Sequence, residues 1–142
     1  AYTLLLRREY PSWLYPVTKG ATTIWEHWDG IMEDGGFWSA DMNSFNHYAY
    51  GSVADWIYEE AAGIRPLEPG FAQAQVAPKP DRRLGWLEAS IETRHGLVRS
   101  RWEYQDGGIR YEIEAEMPVS VVIDGTKRQV PAGSYIFWGS EK

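Results

Sequence analysis

The sequence predicts an α+β protein in which an N-terminal helical segment is followed by an antiparallel β-sandwich. Before Pro66 apolar residues recur at helical spacing, with Phe45, Ala49, Val53, Trp56 and Ile57 forming one stripe. After Pro80 they alternate, Leu87, Ala89 and Ile91 against Glu88, Ser90 and Glu92, the period of a sheet with one covered face. Between the two patterns Pro66, Pro69, Gly70, Pro78 and Pro80 interrupt both, so residues 1–66 are expected to form one domain and residues 67–142 the other.

In chain order, Ala1 to Glu9 reads as a helix with Ala1, Leu4 and Leu5 on one face and Arg7 and Arg8 in its last turn, where cations suit the helix dipole. Pro11 stops it. Pro16 and Gly20 bracket a short extended segment, and the β-branched Thr22, Thr23 and Ile24 resist helix, which leaves Glu26 on a loop or a turn that leads into a helix. Gly30, Gly35 and Gly36 make residues 29–42 a long loop carrying Phe37 and Trp38, either as a rim against a ligand or as a solvent loop anchored by Trp38. Asn43 or Ser44 caps the next helix, which ends at Gly63 and holds His47 in its first turn above the small Gly51.

The strands follow. Phe71 to Val76 is the first, and the alternating run at Leu87 is the second. After His95 and Gly96, Val98, Ser100, Trp102 and Tyr104 share a face. Asp106-Gly107-Gly108 turns the chain into a strand with Ile109, Tyr111, Ile113, Ala115 and Met117 inward. Val119 to Ile123 and Lys127 to Val130 meet at Asp124-Gly125, a strong hairpin signal, and Ser134 to Trp138 closes the set. Trp86, Trp102 and Trp138 are assigned to core packing, with stacking on a sugar as the other reading of each.

Composition narrows the function. Eight Trp and nine Tyr in 142 residues exceed what a core this size uses, which points to a surface that stacks on ring-shaped ligands. A net charge of −6 with dispersed Lys and Arg argues against a phosphate-binding face and therefore against a nucleic-acid partner. Without cysteine there is neither a disulfide framework nor a Cys-ligated metal, and no residue pattern asks for a metal or another cofactor. No apolar run reaches the ~18 residues of a membrane helix, and no signal-peptide pattern is present, which leaves the compartment open. The start without Met, in mid-helix, reads as a piece of a longer polypeptide.

The chemistry centres on Gly20-Ala21-Thr22-Thr23-Ile24-Trp25-Glu26-His27-Trp28-Asp29. A carboxylate between two indoles suits a sugar-cleaving site, because indole faces stack on pyranose rings and limit the water around the acid. The plainer reading makes Trp25 and Trp28 core residues and Glu26 a solvated acid. His47 is likewise either a structural hydrogen bonder or a ligand contact.

Taken with Tyr10-Pro11-Ser12-Trp13-Leu14-Tyr15-Pro16-Val17 and Ser44-Phe45-Asn46-His47-Tyr48-Ala49-Tyr50-Gly51, that run resembles the C-terminal part of bacterial α-L-rhamnosidases. The resemblance implies that residues 1–66 are the end of a catalytic (α/α)₆ barrel and that a C-terminal β-sandwich follows. It implies an inverting glycosidase acting on rhamnose-containing oligosaccharides or glycosides, with Glu26 as general base and His47 in the sugar pocket beside Trp25 and Trp28. The general acid would come from an earlier segment of the parent chain, which is then this segment's main partner. His27 stands where many relatives are expected to carry arginine, and Met32 to Met42 is longer and richer in Gly and Trp. The competing classes are a carbohydrate-binding module without catalysis and a structural domain that docks, or self-associates, through the helix face around Phe45 and Trp56.

Overall fold

The computed structural model describes residues 1–141, which divide into two compact units, the first Ala1–Ala54 and the second beginning at Asp55. In the first unit, helix α1 spans Tyr2–Leu6 and helix α2 spans Leu14–Thr18. Helix α1 is shorter than expected: Arg7 is already extended at φ −71°, ψ 137°, so Arg7 and Arg8 lie beyond the turn they were expected to stabilise. Helix α2 replaces the extended segment expected around Pro16. Proline is tolerated because it sits in the first turn, where its missing N–H would have had no helical partner. Ser12, fully buried, accepts a hydrogen bond from the Tyr15 N–H at 3.1 Å and so caps this turn.

The following loop is folded on itself more than its glycine content predicts. Ile31 pairs with Phe37 across a turn closed by Met32 N–H to Gly36 O at 2.8 Å, and Gly35 takes φ +85° at its tip. The helix expected from Asn43 or Ser44 begins later, as a 3₁₀ turn at Tyr48–Ser52. The cause is sideways pairing. His47 donates its N–H to Ile24 O at 2.8 Å and Glu26 donates to Ser44 O at 2.9 Å, so the backbone before Tyr48 is held extended, with His47 at φ −133°, ψ 115°. His47 therefore precedes the helix instead of occupying its first turn. The 3₁₀ turn passes into helix α3, Val53–Trp56, and the boundary between the units falls within α3.

In the second unit a π turn at Ile57–Ala61 delivers the chain into two four-stranded sheets. The first sheet has the order β1-β2-β6-β7, with β1 Ile64–Pro66, β2 Ala74–Val76, β6 Val119–Ile123 and β7 Thr126–Val130. The second has the order β3-β4-β5-β8, with β3 Trp86–Thr93, β4 Gly96–Gln105, β5 Gly108–Ala115 and β8 Gly133–Gly139. Strand β2 starts three residues later than Phe71 because Gly70 and Phe71 take positive φ, +67° and +60°, in the turn Pro69–Phe71. All the named pairings are antiparallel except β2 with β6. A parallel pair needs a long crossover, and here that crossover is the whole β3-β4-β5 meander of the other sheet.

Both sheets contribute one continuous core, with Ile64, Val76, Val119 and Val121 from one and Val98, Trp102, Tyr111 and Ile113 from the other. Asp124 and Gly125 form the expected hairpin, with φ of +49° and +76° as a primed turn requires. The Asp124 carboxylate accepts hydrogen bonds from the Ser140 N–H at 2.7 Å and from its hydroxyl at 3.1 Å. Of the three tryptophans assigned to core packing, Trp102 is fully buried, whereas Trp86 and Trp138 are each 57% exposed. Their neighbours Leu87 and Phe137 pack on the core, so the alternation of the strands turns both indoles outward.

Trp102 does more than fill volume. Its indole N–H donates to Ala61 O at 2.8 Å, and the Ser100 hydroxyl donates to Ala62 O at 2.7 Å. These are the carbonyls that a helix end leaves without partners. Gly63 follows at φ +78°, where a Cβ would lie 2.2 Å from the Ala77 carbonyl carbon. Glu60, joined to Lys79 and Arg65, has its pKa lowered chiefly by the Lys79 hydrogen bond.

Trp102→Ala is expected to cost about 3–5 kcal/mol of folding stability, and Trp102→Phe, which strands the Ala61 carbonyl, about 1–3 kcal/mol, both measured by urea unfolding. Burial, aided by the Asp124 charge and Tyr104, pushes the Tyr111 phenol up to about 12. The unfolded chain ionises this group near its ordinary value of 10.0. Stability should thus be intact below that pH and fall as pH rises through the folded value, because only the unfolded chain gains from losing the proton. Tyr111→Phe should flatten this alkaline fall, as read from unfolding midpoints between neutral and alkaline pH.

Candidate active site

Three segments of the first unit carry the residues singled out in the sequence. Thr23 donates its hydroxyl to Phe45 O, which joins the backbone bonds from Glu26 to Ser44 and from His47 to Ile24. The Thr-Thr-Ile-Trp-Glu segment and the Ser-Phe-Asn-His segment therefore run side by side, held by three successive hydrogen bonds. The sequence separation of Glu26 and His47 is closed by backbone pairing, an arrangement that does not depend on either side chain.

Aromatic packing supports this pair of segments from below. Trp25, 6% exposed, meets Phe45 edge-on with ring centroids 5.0 Å apart, and Gly30 lies against both rings. Trp28 stacks on Tyr50 at 4.7 Å and meets Trp13 edge-on at 5.0 Å. The Trp13 indole donates to Tyr50 O at 2.9 Å, tying the Pro-Ser-Trp segment to the start of the helical turn. The two tryptophans that flank Glu26 thus have ring contacts within the unit. A cavity of about 50 Å³ lies among Trp13, Trp25, Trp28 and Tyr50, with room for a water or two at about 30 Å³ each and none for a pyranose.

A more open aromatic surface is built on His27, the residue after Glu26. Trp38, 45% exposed, stacks on His27 with centroids 3.9 Å apart and nearly parallel planes. The small hairpin around Gly35 positions it: Trp38 donates its N–H to Gly30 O at 3.2 Å. Trp38 is then neither a buried anchor nor a free lid residue, and its role was open in the sequence because the stacking partner, His27, is eleven residues away. Tyr15 carries the base of this hairpin through a hydrogen bond to Ile31 O at 3.1 Å. Its pKa is raised by burial first, and then by the charges of Glu33, Asp29 and Asp34.

Among the described residues, five buried side-chain polar atoms have no hydrogen-bond partner, and three belong to this unit: Trp28 Nε1, Asn43 Oδ1 and His47 Nδ1. Buried polar groups are nearly always paired, so these three atoms are exceptions within the unit. Trp28 was expected in the sugar pocket, whereas Asn43, which stands just before the Ser-Phe-Asn-His motif, was expected only as a helix cap. Among the described residues no group of three or more His, Asp or Glu side chains is arranged to hold a metal.

Comparison with known proteins adds the family. Residues 1–61 match the profile of the bacterial α-L-rhamnosidase six-hairpin glycosidase domain, and residues 63–131 match that of the bacterial α-L-rhamnosidase C-terminal domain. An α-L-rhamnosidase of Streptomyces avermitilis is 49% identical over 108 residues, covering 76% of this chain and 10% of its own length. One from Formosa agariphila is 42% identical over 112 residues, covering 79% and 12%. Among solved structures, S. avermitilis α-L-rhamnosidase complexed with L-rhamnose superposes with a TM-score of 0.89 at 38% identity, over 96% of this chain and 15% of that one. Native α-L-rhamnosidase from Aspergillus terreus gives 0.88 at 34% identity, over 97% and 17%. The chain spans about a tenth of the length of the curated relatives it matches. Two consecutive profiles of one family, in order and covering nearly every residue, lead to one conclusion: the chain belongs to the bacterial α-L-rhamnosidases, carrying sequence of their six-hairpin glycosidase domain followed by their C-terminal domain.

Proposed function

We propose that these residues belong to an inverting glycoside hydrolase that removes terminal α-L-rhamnose, and that Glu26 is its general base. The observation that carries the reading is the backbone pairing of the Glu26 segment with the His47 segment, in the unit that matches the glycosidase domain. Hydrolysis with inversion needs one carboxylic acid on the leaving oxygen and one carboxylate that activates water on the opposite face of the ring, about 6.5–9.5 Å away. Glu26 is partly buried and still reached by solvent, so it can hold a reactive water, and its own N–H is fixed to Ser44 O at 2.9 Å. His47 is the residue we assign to hydrogen-bond a sugar hydroxyl, and its Nδ1 having no partner within the unit supports that assignment. Trp25 and Trp28 act from behind, as the aromatic support that keeps the Glu26 backbone in place and as the wall of the sugar pocket.

The general acid and the rest of the pocket are supplied, on this reading, by parts of the whole protein outside these 142 residues. The 50 Å³ cavity beside Trp25 and Trp28 agrees with that, since it cannot enclose a sugar alone. Rhamnose is the sugar by kinship with the S. avermitilis and F. agariphila α-L-rhamnosidases.

In the whole polypeptide, Glu26→Gln is expected to lower kcat on an aryl α-L-rhamnoside by about 10²–10⁴ while thermal unfolding is unchanged. Wild-type turnover in that variant would remove Glu26 from the mechanism. His47→Ala should weaken kcat/KM by about tenfold or more through a lost sugar hydrogen bond, with a smaller effect on folding. The 142-residue chain alone should not turn over the same substrate; turnover that Glu26→Ala abolishes would show that no second acid from elsewhere is needed.

A further inference from the structure

We propose that the outer face of the β3-β4-β5-β8 sheet is a second carbohydrate-binding surface, one that holds a neutral glycan chain across the strands between Trp86 and Trp138. The register is what makes it a site. Trp86 pairs with Glu103, Glu103 with Arg110, and Arg110 with Trp138, so these four residues form one row across all four strands. Residues paired in an antiparallel ladder share a face, and the row therefore ends in an indole on each edge strand. The two rings stand three strand spacings apart, on the order of 14 Å. Both are 57% exposed, and Ile136, on the same face, is 59% exposed.

Between the indoles lies a ladder of ion pairs in which three arginines are each matched to glutamate. Arg99 meets Glu88 at 3.0 Å and Glu114 at 3.4 Å, Arg101 meets Glu103 at 2.9 Å and Glu88 and Glu112 at 3.7 Å, and Arg110 pairs with Glu112. Each arginine on this face is already compensated, so the surface has no cation left to recruit a phosphate or an acidic partner. What it offers is a fixed array of donors and acceptors, complementary to groups that both donate and accept while carrying no charge. Hydroxyls do this, and pyranose rings add the apolar C–H faces that indoles stack on. Arg101 also lies over the Trp86 ring, 5.8 Å from its centroid, which restrains the indole in an exposed position. A face with a ring at each end suits an extended chain of sugars more than a single one. Removal of terminal rhamnose would profit from such a hold, because it keeps a polymeric substrate near the enzyme between turnovers.

The choice of a rhamnose polymer as the first probe rests on the function proposed above; the face itself does not involve Glu26. The test is native gel electrophoresis of the 142-residue chain in gels with soluble rhamnan, with dextran, or with no polymer, alongside Trp86→Ala, Trp138→Ala, their combination, Trp86→Tyr and Glu26→Gln. Retardation by either polymer is expected, weakened about tenfold in apparent affinity by the double variant, partly kept by Trp86→Tyr, and unaffected by Glu26→Gln. Circular dichroism and unfolding midpoint should not change, since both indoles are outside the core. No retardation in either gel overturns the proposal, as does retardation that Glu26→Gln weakens and the tryptophan variants do not. Sedimentation equilibrium closes the remaining route: a dimer that Trp138→Ala dissociates would make the face a contact between copies and overturn it as well.

Discussion

The second unit depends on two side-chain donors that reach back from strand β4 to the end of the preceding helical turn. Trp102 and Ser100 hydrogen-bond the Ala61 and Ala62 carbonyls, and both side chains are fully buried. Without them two carbonyls would be left unpaired inside the core, a cost of about 1–3 kcal/mol each. The same contacts fix the point at which helix gives way to sheet. Gly63 must turn there with positive φ and with the 77–78 backbone too close for any Cβ, and β1 starts at the next residue. Ala77 N–H then bonds Gly63 O at 2.9 Å, and β2, ending at Val76, lies against β1. Much of the register of the first sheet thus follows from how one helical turn is finished.

The first unit uses another principle. Its helices are too short to be stable by themselves, five residues in α1 and five in α2. Order comes from edge-on and stacked rings, Trp13, Trp28 and Tyr50 in one group and Trp25, Phe37 and Phe45 in another, and from loop backbone bonded to loop backbone. Such a frame holds short segments without regular structure, which is what a site built on loops needs. It also accounts for three of the eight tryptophans, Trp13, Trp25 and Trp28, whose rings support the Glu26 and His47 segments, whereas Trp38 stacks on His27 while 45% exposed.

The sandwich was largely legible in the sequence because an alternating strand writes its own face, and Ile109 to Met117 with the Asp124-Gly125 turn left little freedom. The parallel β2–β6 junction was not legible, since it is set by a crossover of four tens of residues and not by any local pattern. Nor was the late helix start: Asn43 and Ser44 are good caps locally, but pairing with residues 24–26 overrides that preference. Core assignment of Trp86 and Trp138 failed for a related reason. Residue type favoured burial, while strand parity, read from Leu87 and Phe137, placed both indoles outside. The candidate site was visible through its motifs; the backbone bonds that join them, and the His27–Trp38 stack, were visible only in three dimensions.

The proposed chemistry turns on Glu26 serving water and not the sugar carbon. A carboxylate that activates water leaves the freed rhamnose with inverted configuration, whereas one that attacks the anomeric carbon leaves it retained after a second displacement. The most direct measurement is therefore proton NMR of the first sugar released from an aryl α-L-rhamnoside by the whole polypeptide, recorded before mutarotation. β-Rhamnose as the first product is what the account predicts; α-rhamnose would make the reaction retaining and contradict the role given to Glu26.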